Sequence, residues 1–257
     1  RLKEGAQPFV LYARPAPFPS DASSRWIHVA RAVEVVAELD DGVVVSETSI
    51  GGETWSELPL AVTPTAPPQA GNQQKSIDSW AETLLASDDE FPRDPATDIL
   101  RRRPPRTGSG VLPAANGDDV GTIVAAVRDL DHSYLAVQGP PGTGKTYVGS
   151  HVISTLVREH GFKVGVVAQS HAVVENMLDR IVAAGVPAAL VGKALKSGAA
   201  GAEPSFTVIQ KNGVPGFAAE RPDGYVIGGT AWDFAHEARV PRGSLDLLVI
   251  DEAGQFS

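Results

Sequence analysis

Apolar residues change their spacing along this chain, and each change marks a boundary. From residue 1 to 62 they come in short β-branched or aromatic runs, Trp26–Val29, Ala32–Leu39, Val43–Glu47 and Leu58–Val62. Asp40-Asp41-Gly42 lies between the second and third runs as a hairpin turn. The pattern predicts a small β-rich module, a sheet or barrel. Residues 63–75 shift to Pro, Ala, Gln and Gly, the composition of a linker. Ser76 then reads as the N-cap of a helix in which Ile77, Trp80, Ala81, Leu84 and Leu85 form one apolar stripe. A second, short helix over Thr97–Arg103 is stopped by Pro104-Pro105. The expected organisation is an accessory module over 1–62, a linker and helical connector over 63–110, and a larger domain over 111–257.

In that larger domain strands and helices alternate. The expected strands are Ser133–Gln138, Lys163–Gln169, Ala188–Val191, Tyr225–Gly228 and Leu245–Ile250; the helices are Tyr147–Glu159, Ala172–Ala184 and Ala231–Ala238. Gly161 and Gly185 stand just past the first two helices, where a left-handed cap belongs. Uninterrupted apolar strands alternating with helices imply an α/β fold whose parallel sheet is covered on both faces. Lys193–Pro204, rich in Gly, Ala and Lys, is expected to be an exposed loop, so Lys193 and Lys196, and likewise Lys211, read as solubilising residues, with attraction of a phosphate backbone as the alternative.

Gly139-Pro140-Pro141-Gly142-Thr143-Gly144-Lys145-Thr146 matches G-x-x-x-x-G-K-[ST], between an expected strand and an expected helix. A triphosphate needs a dense group of N–H donors. Pro140 and Pro141 supply none but stiffen the loop, so the donors fall to Gly142 through Thr146 and to the positive end of the helix. Lys145 is placed to reach the β- and γ-phosphates, and the Thr146 hydroxyl to ligate Mg²⁺. ATP and Mg²⁺ are therefore the expected cofactors. Leu247-Leu248-Val249-Ile250 ends in Asp251-Glu252, which puts two carboxylates at the carboxyl edge of the sheet. Asp251 suits the metal shell; Glu252 suits orientation or deprotonation of an attacking water.

Composition narrows the remaining classes. With no cysteine, disulfides, thiolate zinc sites, iron–sulfur clusters and cysteine nucleophiles are excluded, and the six histidines are never three to five residues apart. No run approaches the roughly 18 apolar residues of a membrane span, nor does the first stretch resemble a signal peptide, so a cytoplasmic protein is expected. The net charge of −9, from 22 basic and 31 acidic residues, disfavours nonspecific coating of duplexes. Nucleic acid would have to be gripped locally. Gln169-Ser170-His171 leave a strand and open a helix, and Gly228-Gly229-Thr230 do the same. Such junctions offer backbone N–H groups and small hydroxyls to a phosphodiester without net positive charge. Trp26, Trp55, Trp80 and Trp232 could stack on bases, but packing in the core is the expectation for each. The group Arg101, Arg102, Arg103 and Arg106 reads equally as a solvated helix end or as a contact for nucleic acid or an acidic partner.

Together these segments resemble the 5′-to-3′ branch of superfamily 1 helicases. GPPGTGKT (139–146) and DEAGQ (251–255) are similar to that family's motifs I and II, AQSHAVVENMLDRI (168–181) to motif Ia, and VIGGTAWDFA (226–235) to the next motif. ILRRRPPRTGSG (99–110) resembles bacterial proteins that fuse a RecB-type nuclease to such a helicase. The resemblance implies a RecA-like P-loop NTPase domain, the first of two, cut after motif II. It also implies a catalytic set of Lys145, Glu252 and Gln255, and single-stranded DNA or RNA held by Gln169, Ser170, His171 and Thr230. The second RecA-like domain and its arginine fingers lie outside this chain, so the chain by itself is expected to bind nucleotide with little turnover. No Gln occurs from Lys75 to Val137, where the family usually has one that reads adenine. A P-loop phosphotransferase and a non-catalytic regulatory module are the alternative readings.

Overall fold

A computed structural model describes residues 2–20, 27–64, 70–87, 90–140, 142–195 and 203–255. They fall into two compact units, 1–69 and 70–257.

The first unit is antiparallel. Strand β1 (Phe9–Ala13) is flanked by β2 (His28–Ala32) and β5 (Ala61–Thr63), while β3 (Glu34–Glu38) and β4 (Val43–Ser46) form a separate hairpin. The Asp40-Asp41-Gly42 turn is closed by the Leu39 N–H donating to the Gly42 carbonyl at 2.9 Å. In β1, Val10 and Tyr12 point inward, as the two-residue period of a strand requires, and join Phe18 and Val33 in a core with Trp55 at its side. Arg31 lies over the rings of Phe18 and Trp55 and pairs with Glu47, which also accepts from the Tyr12 hydroxyl at 2.7 Å. Strand β1 has no counterpart among the sequence expectations, since Pro8 and Pro15 bracket a run of only six residues. Trp26 lies outside the described residues.

The second unit opens with α1 (Asn72–Leu85) and α2 (Pro95–Leu100). Helix α1 begins at Gly71, not at Ser76, and none of its residues is buried; Ile77 is 58% exposed and Leu85 86%. Its apolar stripe therefore reports helical period, not core position. Then follow α3 (Asp119–Asp129), α4 (Lys145–His160), β6 (Lys163–Val167), α5 (His171–Ala183), β7 (Val191–Ala194), β8 (Thr207–Ile209), α6 (Val214–Ala219), β9 (Tyr225–Gly229), α7 (Ala231–Phe234) and β10 (Leu247–Ile250). The strands form one parallel sheet in the order β10-β6-β9-β7-β8. Helices α4 and α5 pack Ile153, Val157, Val174, Leu178 and Ile181 onto Val164, Val166 and Val226, all at most 2% exposed. A second cluster, around Phe217, Tyr225, Ile227 and Val240, also packs on β9. This is a RecA-like P-loop α/β domain preceded by a small β-rich module, the fold class that the sequence implies.

Four sequence expectations need correction. Ser133–Gln138 is not a strand: it joins no ladder, Val137 is 52% exposed, and β10 ends the sheet. Apolar character alone does not make a strand where no neighbour supplies hydrogen bonds. The strand expected at 188–191 begins where that reading ended. Ala188–Leu190 form a 3-10 turn and β7 runs on to Ala194, because Val191 onwards pairs with both β8 and β9. Lys193 is therefore a fully buried strand residue, not part of an exposed loop; Lys196 lies outside the described residues, and Lys211 is exposed in a turn. Helix α7 closes after one turn, at Phe234, well before Ala238.

Candidate functional site

The sheet has a carboxyl rim, and connectivity brings several segments to it. Helix α4 joins β6 through Gly161 and Phe162 alone. A link that short forces the helix to run antiparallel to the strand on which it packs. Sixteen residues at about 1.5 Å each give some 24 Å, enough to span the strand from end to end. The N-terminus of α4 is thereby returned to the end where β6 finishes. Helix α5 starts four residues after β6 ends, α7 two residues after β9 ends, and Asp251 follows directly on β10. All four points lie at the carboxyl rim of one sheet.

The phosphate loop enters this rim through left-handed glycines. Gly142 (φ 81°) and Gly144 (φ 82°) occupy backbone space that side-chain-bearing residues rarely adopt, and Gly144 caps α4. At Gly139 a Cβ would stand 2.7 Å from the Thr143 Oγ1, so bulk is excluded there too. The Thr143 hydroxyl donates to the Pro140 carbonyl at 2.8 Å, fastening the loop across itself. Lys145 is folded over the same turn: its Nζ donates to the carbonyls of Gly139 (2.7 Å) and Pro140 (3.1 Å). Thr146 sits in the first turn of α4, half-buried. Pro141 lies outside the described residues. The loop suits a polyphosphate: glycine conformations open the backbone, the helix end is positive, and the ammonium rests on neutral acceptors.

Asp251 continues the β6–β10 ladder by one bond, its N–H donating to the Val167 carbonyl at 2.9 Å. Its Oδ1 accepts from the Glu252 N–H at 3.1 Å. Glu252 is exposed and has φ 51°, an uncommon conformation for a non-glycine residue. The strand thus stops abruptly at two successive acids. The hydroxyl of Thr146 and the carboxylate of Asp251 are hard oxygen donors, the type that Mg²⁺ selects. Gln255 ends the 3-10 turn Ala253–Gln255, and its side chain lies outside the description.

At the third rim point Ser170 caps α5, its hydroxyl oxygen accepting from the Val173 N–H at 3.3 Å; Gln169 and Ser170 are exposed. His171 is tied inward. The Lys193 ammonium donates to His171 Nδ1 (3.2 Å), Glu175 Oε1 (2.8 Å) and the Ala194 carbonyl (3.2 Å), so all three of its protons are used. An ammonium can only donate, so Nδ1 is the acceptor and the proton of the neutral ring resides on Nε2. Nothing in the sequence pattern marks Lys193 and Glu175 as partners; 18 residues and a turn separate them.

At the fourth point Thr230 is 9% exposed, and its N–H and hydroxyl both donate to Asp233 Oδ2 at 2.9 Å. Those donors, expected to face a phosphodiester, are engaged inside the junction. Arg239 donates to the other oxygen, Oδ1, at 2.6 Å. The Thr-x-x-Asp spacing was legible as a helix-start signal. Burial pushes the Asp233 carboxyl upward, but hydrogen bonds from the Thr230 backbone and side chain and from Arg239 outweigh it and hold the group below its ordinary value. A lowered pKa adds stability above the unfolded-state value, near 3.9, and that stability is lost as pH falls through the folded one. Asp233→Asn is accordingly expected to cost about 1–2 kcal/mol near neutral pH. In denaturant titrations the gap from wild type should narrow as pH drops below about 4; a gap independent of pH would contradict the assignment.

Residues 122–257, more than half of the chain, match the family described as the AAA domain. No curated protein matches the chain at a significant level.

Proposed function

The chain belongs to the AAA domain family, a family of P-loop NTPase domains, and from that premise we propose that it is the ATP-binding motor domain of a nucleic-acid-dependent helicase or translocase. The observation behind this reading is the shared carboxyl rim, to which the sheet topology returns the phosphate loop, the Asp251-Glu252 pair and the Ser170-capped start of α5.

In the proposed reaction Gly139–Thr146 hold the triphosphate, with Lys145 neutralising the β- and γ-oxygens. Thr146 and Asp251 would hold Mg²⁺, which when bound would supply positive charge to the phosphoryl oxygens. Glu252 orients or deprotonates the attacking water, and Gln255 completes the catalytic set. Single-stranded DNA or RNA lies along Gln169, Ser170 and His171, where the first N–H groups of α5 meet its backbone. Thr230 contributes by fixing the neighbouring turn through Asp233. Closure against a second RecA-like domain couples hydrolysis to movement. The likeness of 99–110 to nuclease–helicase fusions makes a fused nuclease domain a further part of the proposal. Among the described residues no helix is long and apolar enough to cross a membrane.

The test is ATPase activity of the full-length protein, with its second RecA-like domain, in the presence and absence of single-stranded DNA and RNA over a range of salt. Stimulation by oligonucleotide that fades steeply with salt is expected. Glu252→Gln should keep nucleotide affinity and lower turnover about 10²–10⁴-fold. Turnover that depends on a small acceptor and ignores oligonucleotide would instead identify a phosphotransferase.

A further inference from the structure

A cavity of about 340 Å³ lies between α2 and the segment that follows it, walled by Arg93, Arg101, Arg103 and Arg106 with Phe91 and Asp98. Asp98 is 4% exposed, and both its oxygens accept from Arg106. The same carboxylate accepts from the Ser133 hydroxyl at 2.7 Å, and Arg106 also donates to the His132 carbonyl at 2.7 Å. The buried Asp98 and the half-buried Arg106 together form the floor. Arg93 is matched by Asp131 at 3.3 Å. Arg101 and Arg103 have no carboxylate partner among the described residues. Arg101 lies 4.0 Å above the Phe91 ring, while Arg103 is held by its backbone, whose carbonyl accepts from the Tyr134 hydroxyl at 2.8 Å. Among the described residues two carboxylates thus answer four guanidinium groups, and the excess positive charge lines a concavity on a chain whose net charge is −9.

The geometry points to a second anion site, distinct from the phosphate loop, that takes the phosphate ester of a nucleotide. A guanidinium fork binds phosphate oxygens in pairs, and the stacked Phe91–Arg101 couple offers a flat cationic face against which a base can lie. The volume falls at the lower end of the roughly 300–1,000 Å³ typical of small-ligand pockets, suiting one nucleotide unit. The floor is continuous with the motor loop, since Ser133 and Tyr134 bond to the cavity wall and five residues later the chain reaches Gly139. The cavity's chemistry is independent of the helicase reading; only the strand as physiological source of the ester rests on it.

The test is fluorescence anisotropy on the whole protein and its Arg101→Ala/Arg103→Ala variant. The three probes are a labelled oligothymidylate, a labelled ADP in the Lys145→Ala background, and a labelled polyglutamate peptide. Both arginines are surface residues, and an unchanged melting temperature, with Arg101→Lys as a charge-conserving companion, guards against misfolding. Oligothymidylate affinity is expected to fall about tenfold, with the slope of log K against log salt shallower by about 1–2. Arg101→Lys should keep the slope and lose part of the affinity. A fall for ADP alone would keep the site and make its ligand a free nucleotide. If oligothymidylate binds neither protein while ADP still depends on the arginines, the site stands and the strand-dependent reading fails. If oligothymidylate binds both proteins equally and ADP is unaffected, the site falls and the strand-dependent reading survives. Loss for polyglutamate only would replace the proposal with an acidic-peptide site.

Discussion

Lys145→Ala is expected to weaken nucleotide binding about 10- to 100-fold and to bring turnover below detection. The range corresponds to about 1.5–3 kcal/mol, the contribution of hydrogen bonds to a charged group. The ammonium sits on two neutral carbonyls, those of Gly139 and Pro140, at 2.7 and 3.1 Å. These bonds position it over the loop but leave its charge uncompensated, so a polyphosphate gains a partner without breaking an ion pair. Turnover should suffer more than affinity, since charge on the transferred phosphoryl oxygens grows toward the transition state and a preorganised cation is then worth most. Titration calorimetry with a non-hydrolysable ATP analogue measures the first effect, and phosphate release the second. Lys145→Ala protein that binds the analogue as tightly as wild type would remove the loop from the site. The variant should also loosen the loop, because the lysine is one of its cross-braces, Thr143 to Pro140 being another.

Where local chemistry determined the outcome, the sequence was readable. Gly144 and Gly161 bound α4 with left-handed caps at both ends, and Ser170 caps α5. Strands β6, β9 and β10 pair from apolar runs that nothing interrupts. Where pairing partners or burial decided, it was not. Ser133–Gln138 has strand composition and no ladder; Val191–Ala194 contains a lysine and a glycine, yet is a central strand because two neighbours hold it. Gly192 has a positional reason: a Cβ there would stand 2.9 Å from the Phe217 ring. Gly228 is similar, with Leu178 and Val174 of α5 at 2.6 and 2.8 Å from such a Cβ. Helix α5 can approach the sheet closely only because this strand residue lacks a side chain. Neither fact has a one-dimensional signal, since both depend on which helix covers which strand.

The candidate site divides in the same way. Lys145, Thr146, Asp251 and Glu252 follow from motif spelling, because phosphate and metal chemistry demands those residue types at short spacing. The buried support beneath motif Ia comes from chain segments that only the fold unites. Glu175→Ala is the sharpest probe of it, with an expected loss of about 3 kcal/mol. Lys193 is fully buried, and Glu175, 35% exposed, is the only carboxylate paired with it among the described residues. Removing the carboxylate strands an ammonium between an imidazole nitrogen and a carbonyl. Breaking a buried pair from one side typically costs about 3–5 kcal/mol, and the partial exposure of Glu175 puts this case at the lower end. For a unit of this size the loss corresponds to a melting point lower by about 6–12 °C. Lys193→Met should behave oppositely. It removes the buried charge, fills most of the volume, and leaves Glu175 able to reach water, so a cost under about 1.5 kcal/mol is expected. The double variant Glu175→Ala/Lys193→Met should then be more stable than Glu175→Ala alone, an inversion that a merely additive pair cannot produce. Denaturant unfolding of the three variants decides the matter. Equal, additive losses would mean that water already compensates Lys193 and that the network supplies no coupling. An inversion would establish that the buried ammonium of Lys193 depends on the Glu175 carboxylate, and that the pair, not either residue alone, supports its bond to His171 Nδ1.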